Sequence, residues 1–147
     1  MTVDIRIEEG ALDLAPLRNL ELSISAGAVV TFTGVVRNHN HEREVVALDY
    51  DCAPELAHEC LETIAREAMT RWGCESILMR HSHGYIAIGH ASVFIMVAAP
   101  RRDAAFEACR YMIEETKKRV PVWKREVYAG GEAQWLEGTP LAESLVR

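Results

Sequence analysis

The chain has 147 residues, 49% of them hydrophobic, and a formal net charge of −6. That length suits one domain with a proper core and is too short to expect two, and the negative charge argues against nucleic acid as the general partner. The first residues hold no basic start followed by an apolar run, and no apolar segment approaches membrane-spanning length, so a soluble cytoplasmic protein is expected.

In chain order, alternation over residues 3–7 suggests a first strand, and residues 10–22 read as irregular or briefly helical around Leu12, Leu14, Leu17 and Leu20. Residues 27–36 are rich in β-branched side chains and predict a largely buried strand running into a polar loop, residues 37–43, from which Arg37 is displayed. A strand over 45–50 leads to a helix over 54–72, with Pro54 in its first turn, Leu56, Ala57, Cys60, Leu61, Ile64, Ala68 and Trp72 inward, and Gly73 closing it. Residues 76–81 and 85–88 read as two strands separated by a turn at His83-Gly84, and 91–98 as a core strand.

A second helix is expected over 103–118, with Asp103 as N-cap, Pro121 as the stop, and Ala105, Phe106, Cys109, Met112, Ile113 and Thr116 on its apolar face. Residues 127–129 and 133–136 flank Gly130-Gly131, whose glycines accept the positive φ of a tight hairpin. The expected class is α+β: one domain over residues 1–136, a mainly antiparallel sheet with two principal helices, and a peripheral tail over 137–147. No nucleotide-binding glycine motif interrupts it.

Chemistry concentrates after the second helix. All three lysines, Lys117, Lys118 and Lys124, fall in one ten-residue stretch, and every other basic residue is arginine. A lysine can lose its proton when burial or a neighbouring cation lowers its pKa, whereas a guanidinium cannot, so lysine suits covalent or proton-transfer work. On a helical wheel Lys117 projects roughly 80° from the centre of the apolar face while Lys118 points almost directly away, which makes Lys117 the half-buried one. The plainer explanation, that these cations complement the helix dipole, does not reach Lys124, which lies beyond Pro121 and Trp123. Two lysines around a fixed bend could share one site. Arg101 and Arg102 precede the helix N-terminus and make a plausible seat for phosphate or carboxylate. Between Pro100 and Arg125 lie eight of the sixteen basic residues, a patch suited to a small anion or an acidic chain end.

Other constellations are weaker. His39-x-His41 and His81-x-His83 sit beside expected turns, where histidines are more often solvated than liganding, and no further ligand stands at a helical spacing, so no metal is expected. Cys52, Cys60, Cys74 and Cys109 show no Cys-x-x-Cys spacing and read as ordinary thiols.

Residues 27–40 (Gly27 through Val36-Arg37-Asn38-His39-Asn40), Leu48-Asp49-Tyr50, residues 104–109, and Lys117 followed by Val120-Pro121-Val122-Trp123-Lys124-Arg125-Glu126 together resemble the MoaE family, the large, catalytic subunits of molybdopterin synthase. The resemblance covers about residues 27–136 and implies an α/β hammerhead-like fold. It implies a central dimer in which each copy receives a small ubiquitin-like subunit bearing a C-terminal Gly-Gly thiocarboxylate. The implied reaction is transfer of sulfur to cyclic pyranopterin monophosphate, with no cofactor. By position, the family's two site lysines fall on Lys117 and Lys124 as catalytic residues, its anion-binding arginine on Arg37, and its His-Arg pair on Arg101 and Arg102 as substrate-binding residues. Arginine at 101 leaves phosphate binding open there and puts proton transfer in doubt, since a guanidinium will not deprotonate. His81-Ser82-His83-Gly84 also departs from the usual His-Arg-x-Gly. Two other classes stay in view. A non-catalytic adaptor for a ubiquitin-like tail would tolerate Lys117→Arg, and a histidine-based metal-dependent hydrolase would carry bound metal and fail with chelator.

Overall fold

A computed structural model describes residues 1–17, 20–40, 43–130 and 133–140. The strands are β1 (Thr2–Glu9), β2 (Ala28–Val35), β3 (His39–Asn40), β4 (Arg43–Cys52), β5 (Ser76–Ala87), β6 (Ala91–Ala99), β7 (Val122–Tyr128) and β8 (Ala133–Pro140). The helices are α1 (Pro54–Trp72) and α2 (Arg102–Arg119), with one 3-10 turn at Ala15–Leu17. The sheet runs β2-β6-β5-β4-β7-β8, with β1 beside β5 and β3 beside β4. Every pairing is antiparallel except β1 with β5. The class is the α+β arrangement expected from the sequence.

The apolar run of β6 reflects its place between β2 and β5, where both faces are covered. Val93, Ile95, Val97 and Ala99 join the main core beneath the helices. Phe94 and Met96 pack on the opposite face with Leu12 and Leu78, and Leu14 and Leu17 lie against them. In α1, Ala57, Leu61, Ile64, Ala65 and Ala68 form the buried stripe. Pro54 starts it, and Gly73 ends it at φ 63°, with its N–H donating to the Met69 carbonyl. Ala105, Ala108, Cys109, Met112 and Thr116 are the buried positions of α2. The helices are clamped at that end. Arg119 donates two hydrogen bonds to Glu67 at 2.6 and 3.1 Å, and the Tyr111 hydroxyl donates a third at 2.6 Å.

Several expectations change. Strand β2 is an edge rather than a buried strand among the described residues: its residues alternate between part-buried and exposed, leaving Val29 and Val35 open. Leu56 and Phe106, expected inward, are exposed, because each flanks the stripe its helix buries. Strand β5 is continuous through His83 and Gly84, which takes φ 80° within the strand, and the chain reverses instead near Gly89. Helix α2 begins one residue early, with extended Arg101 as N-cap and no side-chain cap, leaving Asp103 inside the first turn. The polar loop carries the short β3, and its residues 41–42 lie outside the described residues, as does Gly131 of the hairpin. Strand β8 continues to Pro140, and residues 141–147 of the expected tail lie outside the described residues. No described helix is long and apolar enough to cross a membrane.

Candidate active site

Lys124 lies within β7, opposite Tyr50 of β4, rather than on a bend. Strand periodicity turns Val122, Lys124, Glu126 and Tyr128 inward, all buried, and Trp123 outward. Lys117 comes from the last turn of α2, whose apolar stripe carries it half-buried to the sheet while Lys118 stays outside, paired with Glu115. Arg37 follows β2. The buried Val36 before it is tied to the β5–β6 turn, donating to the His90 carbonyl and accepting from the Gly89 N–H.

These placements bring Arg37, Lys117 and Lys124 to one cavity of about 310 Å³. Phe32, Val36, Leu48 and Ile113 supply apolar wall, and Tyr50, His81, Ser92 and Glu126 supply further polar lining. Burial pushes the Lys117 amine below its ordinary range. Lys124 is 8% exposed, and burial lowers its pKa too. The Glu126 carboxylate opposes that shift, and the positive charges of Arg37 and Lys117 add to it. The arrangement can hold an anion at Arg37 while two lysines in a partly dry wall stabilise negative charge or exchange protons.

Arg101 and Arg102 lie elsewhere. Both are exposed beside Gly27, Pro100 and Asp103 in a separate open depression. Lys117 stands fifteen positions after Arg102 on α2, roughly 22 Å along a helix axis. Within one chain the structure does not bring these arginines to the lysines.

His81 and Glu126 belong to the cavity and were not singled out as working residues from the sequence. Glu126 had a signal, since it alternates with Lys124 on one strand. His81 was placed beside a turn and is instead 1% exposed inside β5. Among the described residues no group of three or more His, Cys, Asp or Glu side chains is placed to hold a metal. The described cysteines are free, and burial raises all four thiols, Cys109 to about 11, which suits none of them to attack as thiolate at neutral pH.

The profile of the family described as "MoaE protein" matches residues 7–119. The chain belongs to the MoaE family. It is 42% identical over 116 residues to the molybdopterin synthase catalytic subunit of Pyrococcus abyssi, covering 79% of this chain and 78% of that one. The crystal structure of molybdopterin synthase from Staphylococcus aureus superposes with a TM-score of 0.81 at 30% identity, over 88% of this chain and 94% of that one. A chain from the complex of subunits 1 and 2 of the molybdopterin-converting factor of Helicobacter pylori shares the fold, with a TM-score of 0.74 at 23% identity over 92% of both chains.

The departure at Ser82 has a structural counterpart in this MoaE chain. Ser82 is fully buried and its hydroxyl donates to the Gly10 carbonyl at 2.7 Å. Arg80, two residues earlier on the same face of β5, is also buried and meets Asp4 at 3.0 Å and Glu8 at 3.6 Å. Strand β5 thus anchors the N-terminal segment through a hydroxyl and an ion pair.

Proposed function

We propose that this chain is the catalytic subunit of a molybdopterin synthase, transferring sulfur from the C-terminal thiocarboxylate of a small ubiquitin-like subunit to cyclic pyranopterin monophosphate. The carrying observation is the meeting of Arg37, Lys117 and Lys124 at one cavity with both amines depressed by burial. Arg37 holds the substrate phosphate. Lys117, at the half-open side, lies beside the inserted tail, orients the sulfur nucleophile and stabilises the anionic acyl intermediate. Lys124, deeper in the wall, contacts the pterin or phosphate and assists proton transfer. No cofactor is required by this scheme.

The distance of Arg102 from Lys117 gives the proposed dimer a chemical purpose. Arg101 and Arg102 bind substrate phosphate by reaching the cavity of a second copy. Two small subunits on such a central dimer make a heterotetramer, working in the cytoplasm.

The test is a single-turnover reaction of the purified chain with cyclic pyranopterin monophosphate and thiocarboxylated small subunit. Dithiolene product is expected, and none when the partner's Gly-Gly is removed. Unchanged product with the clipped partner refutes tail insertion, and absence of product with the intact partner bound refutes the synthase reading.

A further inference from the structure

His81 projects from the helix-facing side of β5, in the same row as the fully buried Met79. Its ring meets Tyr50 edge-on, with centroids 5.5 Å apart. Nδ1 lies 2.7 Å from the Ser82 carbonyl oxygen. A carbonyl only accepts, so Nδ1 carries the proton and Nε2 presents a lone pair. Nε2 is buried and has no hydrogen-bond partner among the described residues. Leaving a buried acceptor unmatched is costly, and in a native site such a group calls for a ligand or a moving donor.

The surroundings select the donor. His81 lines the cavity with Lys117 from α2, Lys124 and Glu126 from β7, Arg37 after β2 and Tyr50 from β4. Helix α2 meets β5 here, with the Thr116 hydroxyl 4.0 Å from the Met79 sulfur. Lys117 follows Thr116, as His81 follows Met79 by one pleat on the same face. Burial chiefly, with the Lys117 charge adding to it, favours the neutral His81 ring over the opposing pull of the Ser82 carbonyl. Lys124 already has the Glu126 carboxylate acting on it, whereas burial alone acts on Lys117.

We infer that His81 is a positioning residue for Lys117: a neutral imidazole whose Nε2, unmatched here, accepts a hydrogen bond from the ammonium when the Lys117 side chain swings toward it, and so aims that cation into the cavity. The consequence for turnover rests on the reading of Lys117 given above, and the contact itself does not.

The three lysines make the contact measurable without activity. In lysine-labelled protein, NMR titration follows each amine, with the exposed Lys118 as internal reference. His81→Phe keeps a ring against Tyr50 and removes the acceptor, while His81→Gln replaces it with an amide oxygen. The Lys117 midpoint is expected to fall by about one unit in the phenylalanine variant and to recover in the glutamine variant, because the acceptor favours the charged amine. Equal Lys117 midpoints in all three proteins overturn the inference. Should the phenylalanine variant not fold, imidazole nitrogen shifts of the unaltered protein decide, and a protonated Nε2 at neutral pH overturns it. In single-turnover sulfur transfer the phenylalanine variant should lose about tenfold in rate and the glutamine variant regain most of it. A shifted midpoint with unchanged rate supports the contact and refutes its consequence for turnover, leaving the role of Lys117 itself to Lys117→Ala.

Discussion

Replacing Lys117 with alanine tests the proposed function at its centre, because the structure separates the effect on chemistry from the effect on folding. An ammonium about 4 Å from a developing anion, at the effective dielectric of about 20 that suits protein sites, contributes about 4 kcal/mol. Part of that already acts on the bound ground state, so the expected loss in single-turnover rate is on the order of 10² to 10³, as for removal of one positioned oxyanion donor. Stability should not follow. Burial alone lowers the Lys117 pKa in the folded protein. Between that lowered value and the ordinary 10.5, the unfolded chain binds more protons, so stability rises with pH there and the charged amine costs stability at neutral pH. Alanine removes that cost but also takes away the donor proposed for His81, so the two effects oppose and the melting temperature should hold. The assay pairs dithiolene formation with a thermal melt and a binding measurement for the small subunit. Near-normal turnover refutes the catalytic assignment, and a large fall in melting temperature refutes the claim that the amine is a net burden on the fold. Lys117→Arg adds a second cut: it keeps the charge but neither the compact ammonium nor its removable proton, so the synthase reading expects a loss. Full function of the arginine variant sinks that reading and favours the adaptor.

Other outcomes follow from the frame around the site. Arg119 and Tyr111 hold the Glu67 carboxyl down to about 2 by hydrogen bonding, so its contribution is present above the ordinary carboxylate range and disappears as pH falls toward 2. The Glu67 and Arg119 side chains are 40% and 35% exposed, and solvent screening limits Glu67→Gln to about 1 kcal/mol in chemical denaturation at neutral pH, with the gap to wild type closing in acid. Met112 is fully buried between the helices and the sheet, and Met112→Ala should cost about 2–5 kcal/mol in the same measurement. If Arg102 acts on the cavity of a second copy, mixing inactive Lys117→Ala with inactive Arg102→Ala chains should restore sulfur transfer to about a quarter of wild type, since half of the random dimers carry one intact site of two. No recovery after subunit exchange refutes the arrangement in trans.

Local patterns in the sequence located α1 and α2 to within a residue because each carries a 3.6-residue apolar stripe and a clear stop, Gly73 in one case and Pro121 in the other. Patterns that depend on neighbours were less legible. The valines of residues 27–36 promise burial, yet burial of β2 depends on what lies beyond it, and among the described residues it has a neighbouring strand on one side only. Gly84 looks like a turn from its composition, but β1 and β4 pair with β5 on either side of it and hold the strand straight. The wheel placed Lys117 correctly, since helix rotation is a local property. It could not place Lys124, whose inward face follows from pairing with β4. His81 is illegible for the same reason: its burial is imposed by strands and a helix distant in sequence, and nothing in the neighbouring residues announces it.

The distribution of basic residues now has a physical reading. Arg119 and Arg80 do structural work, each gripping carboxylates through a permanent charge and a planar fork. The two lysines of the cavity do the opposite, since burial presses both amines toward neutrality. A guanidinium at either place would resist that pressure and retain its full charge in the wall. A lysine can respond to an arriving anion by a change in its proton affinity. That response is useful only where negative charge appears and leaves during a reaction, which is why the replacement of Lys117 by arginine, rather than by alanine alone, separates catalysis from mere attraction.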